Sequence, residues 1–521
     1  MKRGIEVIIV LLSAAVFFSS AATADAAGYK DVVRVAVSTE APMLDCILTT
    51  STAARTQWQY IYEGLVAMDA NFEPKPQLAE KITHSADNKV WTFKIRKGVK
   101  FHDGSIMDAS DVAASLNRWA SINGTVKGGV IKENEKFVVV DDSTVKIELS
   151  APSTLFLYYL ANPSQFAGIT TKELVEAADK SGGYTKYIGT GCMKFVEWKE
   201  NEYIHLTKFD DYSARAEPRS GYVGKAVINF KDAYFYFILD PSTRVNAALT
   251  NEFDIVEGIS YDNLNLFEGK DDVVLTEGTT MINALIFNKK EGSGSICLDE
   301  NFRMAVNMAL NLDELASVQV PDKRYRVLSS SYMEPFQKAW FSEAGSEYFN
   351  RKDVKKAREY LAKSSYKKGR EVVMVTCSTN PKFSDGCLYI EQALESLLDV
   401  PVRIDSMDWA TFLQRINQTE TFDMFVTDLG IVPVPNALAF LSPVRTGFTN
   451  IPELTGLLSR MNSAPSVEEA QKIWAEAQRF SAEHAVMVPL SHGVNVVAVS
   501  SKVENYAPYN GINLWDIKAA R

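Results

Sequence analysis

From Trp91 to Trp119 the chain reads strand, turn, helix. Trp91, Phe93 and Ile95 alternate with Thr92, Lys94 and Arg96, the period-2 pattern of a half-buried strand. His102-Asp103-Gly104 is turn chemistry, because Gly supplies a positive φ and Asp bonds its own backbone. Asp108, Ser110 and Asp111 offer N-cap oxygens to a helix with Val112, Ser115, Leu116 and Trp119 on one side. Similar patterning continues along the chain. Val32 to Val37 reads as a strand, and Phe137 to Leu149 as a hairpin around Asp-Asp-Ser. Phe195 to Leu206 is β-rich, and 240–258 reads as helix then strand. Asn301 to Leu315 is amphipathic. Glu371 to Thr376, the helix from Cys387 to Leu398, and Val402 to Ile404 make a βαβ unit. Helix and strand follow at Thr411 to Gln418 and Phe422 to Thr427, then a long helix from Ser466 to Glu483 and a β-rich return from Val486 to Ser500. No internal repeat is visible.

The N-terminus addresses the chain to another compartment. Lys2 and Arg3 precede an apolar run from Val7 to Phe18, and Ala24-Asp25-Ala26 is a small-x-small cleavage site. This is the pattern of a secretory signal peptide over 1–26, and the run is short of the ~20 residues that span a bilayer. No Cys lies in the first 45 residues, so no lipobox is present. The expectation is a periplasmic protein without a lipid anchor. The 521 residues, 46% hydrophobic and 23% charged, suffice for two or three domains. Net charge is −10 without a basic cluster, which argues against nucleic acid or anionic lipid as partner. Cysteines fall at 46, 192, 297, 377 and 387 without CxxC spacing, so no zinc site and no cofactor are expected. Cys377 and Cys387 bracket a turn-rich stretch and are candidates for a disulfide.

Enzyme motifs are thin. No GxSxG, HExxH or P-loop is present. Ser364-x-x-Lys367, Ser378-x-Asn380 and Arg445-Thr446-Gly447 imitate a penicillin-interacting set, but the first two lie too close, with a strand between them. His102 reads as a turn residue, and Trp409 as core packing. The chain is read as a non-enzyme.

Seven elements carry a family resemblance. The Trp91–Trp119 stretch resembles the signature of the family 5 extracellular solute-binding proteins, the capturing subunits of peptide-, nickel- and opine-type ABC importers. Tyr62-Glu63-Gly64-Leu65 resembles the family's YEGL element. Gly189-Thr190-Gly191 with Lys194 to Trp198 resembles its GTGPYKFVEW element, with Cys192-Met193 in place of Pro-Tyr. Arg244 with Asp254, Asn301-Phe302-Arg303 with Ala309-Leu310, and Trp409, Phe412 and Asp423 resemble three later elements in the right order. Leu514-Trp515 closes the chain as the family does.

The resemblance implies an α/β, two-lobed periplasmic-binding-protein fold of class II type with an inserted α+β domain and a ligand cleft between lobes. The implied division is lobe I at 28–60, 186–280 and 490–521, an inserted domain at 61–185, and lobe II at 281–489. The crossings near 280 and 490 would be the hinge. The implied function is a monomeric receptor that closes on a peptide or other small organic solute and delivers it to an ABC permease and ATPase complex. The alternative is a sensing receptor for an opine, sugar conjugate or metal chelate. In peptide-binding relatives a GWxxDYxDP-type segment holds the ligand's amino terminus. Here the stretch is 427–435; anchored on Pro435, the amine-binding Asp position falls on Ile431 and the DP aspartate becomes Val434. A buried ammonium without a carboxylate is costly, so Asp428 is the replacement to consider, with a strand-end cap as its plainer reading. Position adds Met43 in the loop after the first strand, Gly430 and Ile431 beside Asp428, and Ser491 and His492 at the second crossing. His492 has two readings, ligand contact or satisfied hinge residue. Asp45 reads as structural.

Overall fold

The computed structural model describes residues 28–521 apart from 125, 128–129, 419–421 and 445. The signal peptide and Arg445 lie outside the described residues. One mixed sheet of eleven strands runs through the molecule. Its strands are β1 (Val32–Val37), β2 (Met193–Lys199), β3 (Tyr203–Lys208), β4 (Asp232–Phe237), β5 (Ile255–Ile259), β6 (Val273–Phe287), β7 (Val372–Cys377), β8 (Val402–Met407), β9 (Met424–Leu429) and β10 (Met487–Ser500). Their spatial order is β8-β7-β9-β6-β10-β5-β1-β4-β3-β2, with the short strand Arg326–Val327 against β10 off this path.

The long strands β6 and β10 join the two lobes. They pair antiparallel from Val273–Ser500 to Ile286–Met487, with register shifts between Glu277 and Thr280 and between Asn283 and Ala284. On one side of the shifts, residues 496–499 of β10 also pair with β5. On the other, residues 282–287 of β6 pair with β9. The first irregularity therefore sits where the sheet passes from one lobe to the other, and the second lies just inside the stretch paired with β9. Bulges bend and twist a strand locally, so this is where the sheet deforms most readily.

Around β1 the first lobe is parallel, with β4 on one side and β5 on the other. β7 likewise lies parallel to β8 and β9 in the second lobe. Val33, Val35, Ala36 and Val37 of β1 are fully or nearly fully buried, as a strand covered on both faces requires. Between β1 and β2 the chain builds a separate four-stranded sheet from Ala79–His84, Val90–Ile95, Thr144–Glu148 and Val138–Asp141. The helix Ala109–Ile122 packs on it and starts with a capping box. The Asp108 carboxylate accepts from Asp111 N–H, and Asp111 accepts from Asp108 N–H.

Several expectations needed adjustment. The amphipathic 301–315 stretch is two helices, Glu300–Ala309 and Leu312–Gln319, split at an extended Leu310. All five cysteines are buried and free. Cys377 Sγ lies 3.1 Å from Thr379 Oγ1. Cys387 points at the Val375 carbonyl from the helix Pro381–Leu398, so helix packing on β7 replaces the candidate disulfide. Trp409 is 47% exposed and stacks on Phe412, because it opens its helix at the protein's edge.

Candidate functional site

Two adjoining chambers lie where lobes and inserted domain meet. The first, of about 330 Å³, takes Thr50, Thr52 and Arg55 from the segment after β1, Asn162, Ser164 and Gln165 from the inserted domain, and Met281 and 428–432 from the second lobe. The second, of about 310 Å³, is lined by Phe72, Glu277, Thr280, Phe336, Pro508 and Tyr509 among others. Ile431 and Asn510 line both. The first chamber gathers most of the polar side chains, and the second holds the aromatic rings of Phe72, Phe336 and Tyr509. A concave site with a few placed polar groups is the usual form of a small-molecule site.

Arg55 is the main feature of the polar chamber. It sits on the short helix Thr52–Trp58 and is 8% exposed. Its Nη2 donates to the Asn510 carbonyl at 2.9 Å, and among the described residues no carboxylate pairs with it. A cation that is largely withdrawn from water needs an anionic or strongly accepting partner. Sequence reasoning missed this residue. The signal was there, since Arg55 is the sole charged residue between Cys46 and Tyr62.

Asp428 does line the polar chamber, but it is already engaged. Lys382 Nζ lies 2.6 Å from its Oδ2, and both side chains are about 15% exposed. Asn283 Nδ2 donates to its Oδ1 at 3.0 Å. Lys382 comes from the start of the Pro381–Leu398 helix, forty-six residues away, which local pattern cannot reveal. With its charge neutralised, Asp428 holds the end of β9 against β6 rather than standing open for an ammonium.

Gly430 and Ile431 form the wall after β9, and Ile431 bridges the chambers. Met43 is half-buried in the loop after β1 and lines neither chamber. Ser491 is 1% exposed on β10, opposite Asn283 in register, and its hydroxyl has no hydrogen-bond partner among the described residues. His492 is 2% exposed. Its Nδ1 lies 2.9 Å from Glu334 Oε2 and its Nε2 3.2 Å from the Ser331 carbonyl. Both nitrogens are satisfied within the protein, so of the two readings the hinge residue is the one the geometry describes. His492 also pairs through its backbone with Val327.

Other motif residues are structural. His102 Nδ1 accepts from Gly189 N–H and Nε2 donates to the Gly191 carbonyl, so the ring is neutral and clamps the GTG loop. Burial pushes its pKa down to about 4. Glu63 is buried and accepts from Gln77, Thr190 and Tyr212; burial raises its pKa against those bonds. Asp45 pairs with Arg118 through both oxygens, at 2.8 and 3.2 Å, with both side chains 3% exposed. Ser364 Oγ donates to the Leu361 carbonyl at the end of its own helix, and Ser378 Oγ donates to the Met407 carbonyl of the neighbouring strand β8. No cluster of three or more metal-ligating side chains occurs among the described residues. Nor is any helix among them long and apolar enough to cross a membrane.

A two-lobed α/β molecule with a mixed polar and aromatic cleft at a two-strand crossing is the architecture of a periplasmic solute-binding protein. The profile of the bacterial extracellular solute-binding proteins, family 5, matches residues 73–450, and the chain belongs to that family. It is 25% identical over 460 residues to the dipeptide-binding protein DppE of Bacillus subtilis, covering 81% of this chain and 78% of that one. It is 26% identical over 381 residues to the glutathione-binding protein GsiB of Escherichia coli, covering 73% and 70%. The structure of the periplasmic binding protein AgaA in complex with agropinic acid, from A. tumefaciens, superposes with a TM-score of 0.78 over 94% of this chain and 99% of that one, at 24% identity. Proteins of this family are periplasmic or extracellular binding proteins.

Proposed function

We propose that the chain is the solute-binding receptor of an ABC importer, capturing a peptide or other small organic solute in the inter-lobe cleft and presenting the closed form to the membrane permease. The observation that carries this reading is the cleft itself: chambers lined by both lobes and the inserted domain, beside the irregular β6–β10 crossing. The relatives named for dipeptide and glutathione binding support the solute class. The proposed division follows the crossings, with 28–60, 186–280 and 490–521 as lobe I, 61–185 inserted, and 281–489 as lobe II. Export follows from the leader at 1–26, with cleavage after Ala26 and no lipid anchor. A binding role without catalysis is in keeping with the family. The closed conformation is reached only to the extent that solute binds it more tightly than the open one.

Native mass spectrometry of the mature protein purified from periplasm tests this reading, followed by denaturation and identification of the released mass. A peptide, glutathione-like or small organic mass is expected. A protein that releases nothing, and whose melting temperature no peptide, glutathione or opine raises, would end it, because a ligand of the folded state must stabilise it.

A further inference from the structure

Two buried basic side chains, Lys289 and Arg303, line a pocket of about 510 Å³ on the second lobe, with Leu298, Ile451 and Phe480 among its walls. The pocket shares no lining residue with either cleft chamber. Strand β6 runs between the two places, six residues and ~20 Å from Met281 in the polar chamber to Phe287. Lys289 is 5% exposed and Arg303 3%. Lys289 Nζ lies 3.0 Å from the Phe287 carbonyl and 3.0 Å from that of Val486, so it bridges the second-lobe ends of β6 and β10. Two carbonyls match the two N–H groups of a neutral amine and leave its lone pair over, whereas an ammonium has a third N–H to place. No carboxylate pairs with Lys289 among the described residues; the ionisable groups that act on it are Arg303 and Cys297. Burial, and then the Arg303 charge, hold its pKa well below the usual lysine range. Burial raises the pKa of the Cys297 thiol, so that group is no anion. Arg303 spends its bonds on neutral acceptors, the carbonyls of Ala485, Cys297, Leu298 and His484. The pocket's carboxylates, Glu291, Glu300 and Glu453, are exposed, and Glu300 is paired with His484.

We infer that Lys289 is a modification site for carbon dioxide: its amine adds reversibly to CO2 and forms a carbamate held by Arg303. The nitrogen lone pair forms a bond to the carbon of CO2, one C=O electron pair moves onto oxygen, and one N–H proton leaves to water. The product is an N-linked carboxylate, and nothing else is consumed. CO2 suits the place because it is small and uncharged, and so reaches a nitrogen that is nearly withdrawn from solvent. The carbamate supplies the anion that the Arg303 guanidinium lacks, and it keeps one N–H for a backbone carbonyl. An imine made from an aldehyde keeps none and would leave both carbonyls unpaired. Because Phe287 and Val486 stand at the ends of the two crossing strands, the modification exchanges one bond of the clip that holds β6 to β10.

Carbon-13 NMR of the full mature chain in carbon-13-labelled bicarbonate tests this, followed by trapping with a trialkyloxonium reagent and peptide mapping. Near neutral pH an exposed lysine such as Lys368 is almost wholly protonated and does not react. Lys289 is expected to carry the label there at about tenfold or more the occupancy of Lys368, since each unit of pKa depression multiplies the neutral fraction about tenfold. Lys289→Arg, shown to be folded by its melting temperature, is expected to lose the carbamate resonance. A wild type without that resonance overturns the inference, as does a label confined to the N-terminal amine and exposed lysines. Both are read on wild type and hold whether or not Lys289→Arg folds. An undiminished resonance in folded Lys289→Arg also overturns it.

Discussion

His102 shows how a motif residue can be indispensable to shape without doing chemistry. Its neutral ring accepts from Gly189 and donates to Gly191, and burial holds its pKa at about 4 against an ordinary 6.5. The unfolded chain therefore binds a proton between those values that the folded chain refuses. Stability is full above about pH 6.5 and declines as pH falls toward 4. The full shift would correspond to about 3 kcal/mol; partial exposure of the ring reduces the expectation to about 2 kcal/mol. Denaturant unfolding across this range should show that slope, and His102→Gln should flatten it. Asp45 and Arg118 are a second such case. Asp45→Asn removes the carboxylate that accepts both of the guanidinium bonds in a dry site, and a loss of about 3–5 kcal/mol is expected by the same measurement. His102 and Asp45 were legible as structural residues from the turn and loop they sit in, although their partners, Gly189, Gly191 and Arg118, lie far along the chain. Lys382 was not, because its partner Asp428 is brought to it only by the fold, and the lone charge of Arg55 gains its meaning only from the chamber around it.

Elements were read most reliably where one periodicity ran unbroken. β1 and the Val138–Glu148 hairpin fall where alternation and turn residues put them, and the β7–helix–β8 unit keeps its order although its helix opens at Pro381, inside the stretch read as turn-rich. β6 escaped, since VVLTEGTTMINALIF breaks its alternation where the register shifts occur. The same local disruption that hides the strand provides its bend. The loop at 189–193 belongs to this scale too. It lies on the backbone of 60–62, with Gly191 N–H donating to Ile61 and Met193 N–H to Tyr60. A Cβ on Gly189 would come 2.0 Å from the Ile61 carbonyl oxygen, and one on Gly191 2.2 Å from that of Tyr60. Both contacts are backbone against backbone, so the chain itself must move. Gly191→Ala is expected to cost about 1–3 kcal/mol or more, read as a lowered melting temperature of the mature protein. Gly456→Ala, where nothing lies within 4 Å, is expected to be tolerated, because its helix has room for the methyl.

At the scale of the molecule, the inserted domain is a clasp as well as a wall. Its helix Phe156–Leu160 faces the second lobe. Tyr158 meets Trp340 edge to face at 5.5 Å. Tyr159 donates to Asn462 at 2.9 Å and accepts from Asn436 at 2.6 Å. Thr154 donates to the Ala464 carbonyl, and Phe72 meets Phe336 at the wall of the aromatic chamber. These contacts join the inserted domain to the second lobe, so they favour the form in which the two are together and raise the fraction of free protein that is competent. Apparent affinity scales with that fraction. Tyr159→Phe removes the hydroxyl shared by Asn436 and Asn462, a loss of about 1 kcal/mol from the closed form alone. Apparent affinity for the transported solute should drop about fivefold, and small-angle scattering of the free protein should shift toward a larger radius of gyration. Scattering of the solute-saturated variant should coincide with wild type, because solute then supplies the missing bias. A variant with unchanged scattering and affinity would mean that the clasp is indifferent to opening, and that β6 and β10 alone set the equilibrium between the two forms.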